Sequence, residues 1–156
     1  MAHLEYRLDD AVQNYPALYH YRNISTDELT LRLLCDFYIK QNQVYEHTWS
    51  AVEEDVYVIY VTRSAEENLT ATLSSPAAIG SVILEVREFF EGQGDYPLIE
   101  NKEFPAIQEL IPYVLAGYRT IQGQVWETST LEVDEDRSTY VLYVKKPEAT
   151  QVENLQ

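Results

Sequence analysis

The chain has a single cysteine, Cys35, and few basic residues, with 11 Lys and Arg against 26 Asp and Glu. One thiol cannot form an internal disulfide, so the fold does not depend on one. The formal net charge of -15 repels a phosphate backbone, and the basic residues never cluster, which argues against direct binding of nucleic acid. No stretch after Met1 resembles a signal peptide, and no apolar run approaches the length of a membrane span. We therefore expect a cytoplasmic protein that does not contact membranes.

Motifs for catalysis and metal binding are also lacking. The three histidines, His3, His20 and His47, are far apart in sequence, and neither His-x-x-x-His nor Cys-x-x-Cys spacing occurs. A zinc site is therefore not expected. Cys35 falls within a predicted helix, where a free cysteine usually behaves as a small hydrophobe. Because no nucleophile–base pair is apparent, we expect a non-enzymatic protein without a cofactor.

What the chain does contain is an internal repeat. The clearest match aligns residues 43–46, Gln-Val-Tyr-Glu, with residues 124–127, Gln-Val-Trp-Glu, at an offset of 81. A Tyr-Pro pair, Tyr15-Pro16, recurs as Tyr96-Pro97 at the same offset. The matched blocks keep their order in both halves, which indicates a tandem duplication. We assign residues 1–63 to the first copy and 82–146 to the second.

Each copy has the pattern of a strand, a helix and a hairpin. Alternation of apolar Leu4, Tyr6 and Leu8 with polar residues predicts the first strand, and Leu84 and Val86 repeat it. Ser25 and Glu28 form a capping box that begins a helix with Leu29, Leu33 and Phe37 on one face. In the second copy Pro112 interrupts the helical pattern, where we expect a kink or a late start. The hairpin arms are residues 44–52 and 57–61, and 125–133 and 140–144 in the second copy.

These patterns predict an α+β fold. We expect a tandem duplication of a βαββ unit, forming one compact two-layer α/β sandwich with antiparallel hairpins. Residues 64–81 are interpreted as a linker with a short helix at 65–73. Residues 147–156 are interpreted as a disordered tail.

The element order strand-helix-strand-strand, present twice in 156 residues, resembles that of bacterial gyrase-inhibitor-like effector-binding proteins. The resemblance covers element order and no sequence motif, and the long Tyr-Pro loop before each helix departs from it. The resemblance implies pseudo-symmetric modules that hold a small ligand at their interface, often near a glutamate.

Two repeated glutamates are the candidate ligand-binding groups. Glu46 and Glu127 occupy equivalent hairpin positions, each directly after an aromatic residue, Tyr45 or Trp126. If the units pack about a pseudo-twofold axis, the two carboxylates approach each other, and such a pair can serve acid–base chemistry or bind a cation. We place Trp49 on the same strand face as Tyr45, so that a pocket would join these five residues. The simpler interpretation is that both glutamates are exposed on strands and the aromatics form a tyrosine-rich core.

Three functions remain open at this point. The leading hypothesis is binding of a partner protein or formation of a homodimer, because the arms 57–61 and 140–144 are apolar on both faces and the chain has 13 tyrosines. The alternative is a small-molecule effector module with its pocket between the repeats. The third is an acidic mimic of nucleic acid, which rests on net charge alone.

Overall fold

The computed structural model describes residues 1–64, 81–92 and 96–148. The first copy consists of β1 (Ala2–Leu8), β2 (Ala17–Ile24), α1 (Thr26–Leu34), β3 (Phe37–Lys40), β4 (Gln43–Glu53) and β5 (Val56–Arg63). The second copy consists of β6 (Val82–Glu88), β7 (Leu98–Phe104), α2 (Ile107–Leu115), β8 (Tyr118–Ile121), β9 (Gln124–Asp134) and β10 (Thr139–Lys145). The predicted helix at 65–73 and most of the predicted linker and tail lie outside the described residues.

The prediction of a two-layer α+β sandwich built from βαββ units is wrong. Each copy has the order ββαβββ, and all ten strands join one mixed sheet. The strand order is β2-β1-β5-β4-β3-β9-β10-β6-β7, with β8 paired to β9 beside this path. In the described ranges only two short helices pack against the sheet, so this part of the chain is dominated by strands.

Two of the strands that the sequence pattern does not predict, β2 and β7, lie where it predicts loops. They form the two ends of the sheet and pair antiparallel with β1 and β6. Several of their side chains are exposed, so their sequences lack the apolar alternation that marks a half-buried strand.

The other two unpredicted strands, β3 and β8, lie where the sequence pattern predicts the ends of helices. Helix α1 begins at the predicted cap, where the Ser25 side chain accepts from the Glu28 amide at 3.1 Å. It ends at Leu34, because Cys35 is extended (φ -71°, ψ 131°), so Phe37 belongs to β3. Beyond β3, Gln41 and Asn42 form a left-handed turn that leads into β4. Helix α2 runs through Pro112.

Both faces of the sheet are covered by the chain itself. The helices cover one face over a core of apolar side chains that include Tyr6, Leu31 and Leu142. The opposite face of β5 and β10 is covered by the Tyr-Pro loops. The ring of Tyr15 contacts Tyr60 edge-on at 5.4 Å, and Tyr96 contacts Tyr143 at 5.3 Å. The repeated Tyr-Pro pairs therefore cover apolar strands that the sequence pattern left open to a second unit or chain.

The two copies join where β3 lies between β4 and β9. β3 pairs antiparallel with β4 and parallel with β9, from Phe37 opposite Glu132 to Ile39 opposite Asp134. Asp36 extends the join, since its amide donates to the Leu131 carbonyl at 2.8 Å and its carboxylate accepts from the Leu131 amide at 2.9 Å. We call this junction the closed seam. Within the described residues, neither helix is long and apolar enough to cross a membrane.

Candidate binding cleft between the repeats

A cleft of about 330 Å³ lies beside the closed seam, on the sheet face opposite the helices. Both copies contribute to its walls. Side chains from the first copy are joined by side chains from β9, β10 and the loop after β6. The lining residues are Phe37, Val44, Glu46, Ser64, Phe89, Glu91, Gly92, Tyr96, Thr130, Glu132 and Tyr143.

The cleft exists because the two copies differ at one strand position. In the first copy Trp49 lies opposite Tyr60 and stacks on it, with ring centroids 3.7 Å apart. In the second copy the equivalent residue is Thr130, which lies opposite Tyr143 in the same register. A threonine cannot fill the volume of an indole, so a cleft remains in front of Tyr143 where the first copy is packed.

The cleft contains a buried carboxylate, that of Glu132, which is 6% exposed. Its neighbours on the same face form ion pairs: Arg137 contacts Glu85 at 2.9 Å and Asp134 at 2.7 Å. Arg87 also contacts Glu85, at 3.1 Å. These ion pairs of the two guanidinium groups involve Glu85 and Asp134 and not Glu132. In the described part of the chain Glu132 forms no ion pair, and it accepts one hydrogen bond, from the Tyr143 hydroxyl at 3.2 Å.

The environment of Glu132 favours its protonated form. Burial, reinforced by the nearby Asp134 carboxylate, raises its pKa to about 8, although the Tyr143 hydroxyl and Arg137 act in the opposite direction. Glu85 behaves differently: burial would raise its pKa, but hydrogen bonds from Arg137 and Arg87 outweigh burial and lower it. A positive charge in the cleft would stabilise the ionised form of Glu132 as the arginines stabilise Glu85.

Aromatic rings complete the cleft. Phe37 lies between two glutamates in the sheet, with Glu132 on one neighbouring strand and Glu46 on the other. Across the cleft Phe89 stacks on Tyr96 with centroids 5.4 Å apart. The cleft therefore combines carboxylates with the faces and edges of several rings.

The structure separates the five residues that the sequence placed in one pocket. Tyr45 and Trp126 lie in the core on the helix side of the sheet. Trp49 faces the other side, because a bulge between His47 and Trp49 reverses the alternation.

Of the two predicted glutamates, only Glu46 lines the cleft. Glu46 and Glu132 both lie opposite Phe37, on the two strands that flank it. Glu127 lies five residues away from Glu132 along β9, opposite Lys145. At a rise of about 3.3 Å per residue and two strand spacings, Glu46 and Glu127 are roughly 15 Å or more apart. The structure does not bring these two carboxylates together.

Sequence reasoning missed Glu132, Thr130, Tyr96 and Tyr143 as site residues. It treated residues that are the same in both copies as the candidates for function, whereas the cleft occurs where the copies differ. A comparison of the differences would have found it: the sequence has Thr130 where the first copy has Trp49. Similarity between the copies instead pointed to Tyr45 and its equivalent Trp126, which both copies need for their cores.

In comparisons with known proteins, no family model, no curated protein and no solved structure matches the chain. Among the described residues, no group of three or more His, Cys, Asp or Glu could hold a metal ion.

We expect the substitution Glu132→Gln to stabilise the protein increasingly as pH rises. The native carboxyl keeps its proton up to about pH 8, whereas in the unfolded chain it ionises near its ordinary pKa. Between those values only the native state holds the proton, so wild-type stability falls with rising pH by up to about 1.4 kcal/mol per unit. Glutamine cannot ionise, so the variant lacks this loss.

The measurement is urea unfolding of both proteins at several pH values from mildly acidic to mildly alkaline. The exposed substitution Glu109→Gln serves as a control and should alter the free energy of unfolding by less than about 0.5 kcal/mol throughout. A constant difference between wild type and Glu132→Gln over this range would contradict the raised pKa.

Proposed function

We propose that the protein acts by binding a small organic cation in the cleft between its repeats. The observation that carries this proposal is the Glu132 carboxylate, which is buried in the cleft without a basic partner in the described residues. A buried carboxylate is costly when it is charged and unpaired, and a cationic ligand supplies the missing charge. The proposal develops the effector-binding alternative from the sequence, with a different set of residues.

The aromatic walls favour an organic cation with apolar substituents. The face of an aromatic ring carries negative potential and attracts alkylammonium groups, and the attraction grows when water is excluded. Phe37 and Tyr143 lie directly beside Glu132 and Thr130 in the sheet, so rings and carboxylate can contact one bound group. Glu46 at the exposed side adds a second negative charge. A volume of about 330 Å³ suits a ligand at the small end of the usual range of binding pockets.

The test uses choline as a permanently charged probe, with its neutral isostere, in which carbon replaces the quaternary nitrogen, as the control. Titration calorimetry should show binding of choline and none of the isostere. Because the cation favours ionised Glu132, affinity should rise with pH by up to about tenfold per unit below pH 8. The probe itself does not titrate, so this dependence reports on the protein.

In Glu132→Gln the affinity for choline should fall and its pH dependence should disappear. Equal binding of choline and its isostere would overturn the proposal, since the cleft would then recognise shape alone. An affinity that is unchanged in Glu132→Gln would place the probe elsewhere on this acidic protein.

A further inference from the structure

The internal repeat predicts a second junction, equivalent to the closed seam, that the structure does not form. The repeat offset relates Phe37, Tyr38 and Ile39 of β3 to the first three residues of β8, and relates their partners at 132–134 to residues 51–53 of β4. A symmetric molecule would therefore pair β8 with the end of β4. In the described chain β8 pairs with β9 alone, and β4 pairs with β3 only from Gln43 to Glu46. We call β8 and residues 50–55 the open seam.

One residue accounts for much of this asymmetry. At the closed seam Asp36 binds the Leu131 backbone through both its amide and its carboxylate. The equivalent residue before β8 is Gly117, which has no side chain with which to repeat the carboxylate contact.

At the closed seam an acidic turn of the second copy is held by the first copy. Glu135 accepts from Lys40 at 2.9 Å and Tyr38 at 3.0 Å, and it also contacts the Tyr21 hydroxyl. Asp136 accepts from the amides of the turn between β3 and β4, at 2.7 and 2.8 Å. The equivalents of these acids are Glu54 and Asp55, and both are exposed.

The side of the open seam that would receive those acids carries donors in place. The equivalents of Tyr21 and Tyr38 are two cations, Lys102 and Arg119, both within 5 Å of the Tyr113 ring, at 4.8 and 4.7 Å. Arg119 lies opposite Trp126 across the ladder. Within the described residues, Arg119 Nε and Trp126 Nε1 are buried without a hydrogen-bond acceptor. Buried donors of this kind normally have partners, and the other two guanidinium nitrogens of Arg119 do have them, in the Tyr113 and Ala116 carbonyls and the Thr128 hydroxyl.

We propose that the open seam binds a second copy of this chain. The free edge of β8 pairs with residues 51–53 of the other copy, and the Glu54 carboxylate of that copy reaches the donors of Arg119 and Lys102. The closed seam is the template for this contact, because there the equivalent strand end and acidic turn, residues 132–136, pair with β3. When each copy pairs its residues 51–53 with the β8 edge of the other copy, both free edges are paired, and the assembly stops at two copies.

The chain's own hairpin is a poorer occupant than that of a second copy. The sheet is continuous from β2 to β7, so β4 cannot approach β8 without disturbing the ladders on either side of β3. The end of β4 is also tied to β1 by the ion pair of Glu53 with Arg7. Two apolar side chains at the open seam, Val52 and Tyr118, remain 60% and 37% exposed, and a second copy would cover them.

Sedimentation equilibrium over a range of protein concentrations tests the proposal, at an ionic strength that screens the net charge of each copy. We expect a reversible monomer–dimer equilibrium. The substitution Glu54→Lys should weaken dimerisation at least about tenfold, because it removes the acceptor and adds repulsion. Glu109→Lys makes the same change of charge on an exposed part of α2 and should leave dimerisation unchanged.

Disulfide trapping distinguishes a second copy from closure within one chain. In a Cys35→Ala background, Glu53→Cys chains mixed with Thr120→Cys chains should oxidise to a covalent heterodimer, because these positions face each other in the proposed ladder. Strictly monomeric sedimentation, equal effects of Glu54→Lys and Glu109→Lys, or a double variant that forms its disulfide only within one chain would each overturn the proposal.

Discussion

Replacing Thr130 with tryptophan is expected to abolish binding of choline, with a loss of affinity of about 100-fold or more. The indole would occupy the space in front of Tyr143, where the cation is proposed to bind. The first copy already shows this arrangement, since Trp49 stacks on Tyr60 with an interplanar angle of 6°. The fold therefore accepts tryptophan at this strand position, and the loss of binding should come without a loss of stability.

The isosteric substitution Thr130→Val is the matched control, because it changes the chemistry of the side chain but leaves the cleft open. It should retain binding of choline within a few fold. Calorimetry on both variants, with thermal unfolding to confirm that each is folded, checks the prediction. Undiminished binding by a folded Thr130→Trp protein would show that the cation does not bind in the cleft.

The substitution Glu135→Ala is expected to lower the free energy of unfolding by about 3 kcal/mol, the lower end of the cost of removing one partner from a buried ion pair, because Arg32 is buried whereas Glu135 and Lys40 are 26% and 24% exposed. Glu135 joins the two copies through Lys40, at 2.9 Å, and Arg32, at 3.5 Å. Arg32 is 5% exposed and also lies 4.7 Å from the centre of the Tyr21 ring. Without Glu135 this guanidinium keeps only the partly exposed Glu28 as an acidic partner in the described residues.

The equivalent substitution Glu54→Ala should change the stability of the monomer by less than about 0.5 kcal/mol, because Glu54 is exposed. Burial would raise the pKa of Glu135, but hydrogen bonds from Tyr21 and Lys40 outweigh burial and lower it. The stability that this carboxylate contributes is therefore present above its ordinary pKa and is lost as pH falls through the lowered value. Urea unfolding at neutral and acidic pH should show the gap between the two variants narrowing in acid; similar losses at neutral pH would contradict the assignment.

The sequence predicted the elements whose pattern is local. The first strand, the cap of α1 at Ser25 and the hairpins all appear where periodicity and capping chemistry placed them. These features depend on neighbours a few residues away, so a single sequence contains the information for them.

The failures come from tertiary contacts. Leu33 and Phe37 are spaced as on a helix face, yet the chain leaves the helix at Cys35 because Asp36 finds its partners on Leu131. No local signal reports a partner so distant in sequence. Because β3 was predicted to be the end of a helix, the strand that joins the two copies was absent from the predicted fold. The prediction therefore gave two separate units and not one continuous sheet.

The candidate site was missed for a related reason. Glu46 is one of the repeated glutamates and does line the cleft, but identity between the copies does not point to Glu132, because its equivalent in the first copy is Ala51. Its importance comes from burial and from the ion pairs among its neighbours, which leave it unbalanced. Neither property can be read from a strand in which acidic and apolar residues alternate.

The position of β3 has a consequence for how the protein is made. Asp36 and Gln41 bind groups that follow them by 95 residues. At the usual rate of synthesis, of order 5–20 residues per second, about 5 to 20 s pass before those partners leave the ribosome. During that interval the outer edge of β3 can pair with any extended chain nearby. Expression of the first copy alone should therefore give aggregates, and slower elongation should lengthen the period in which the nascent protein needs protection.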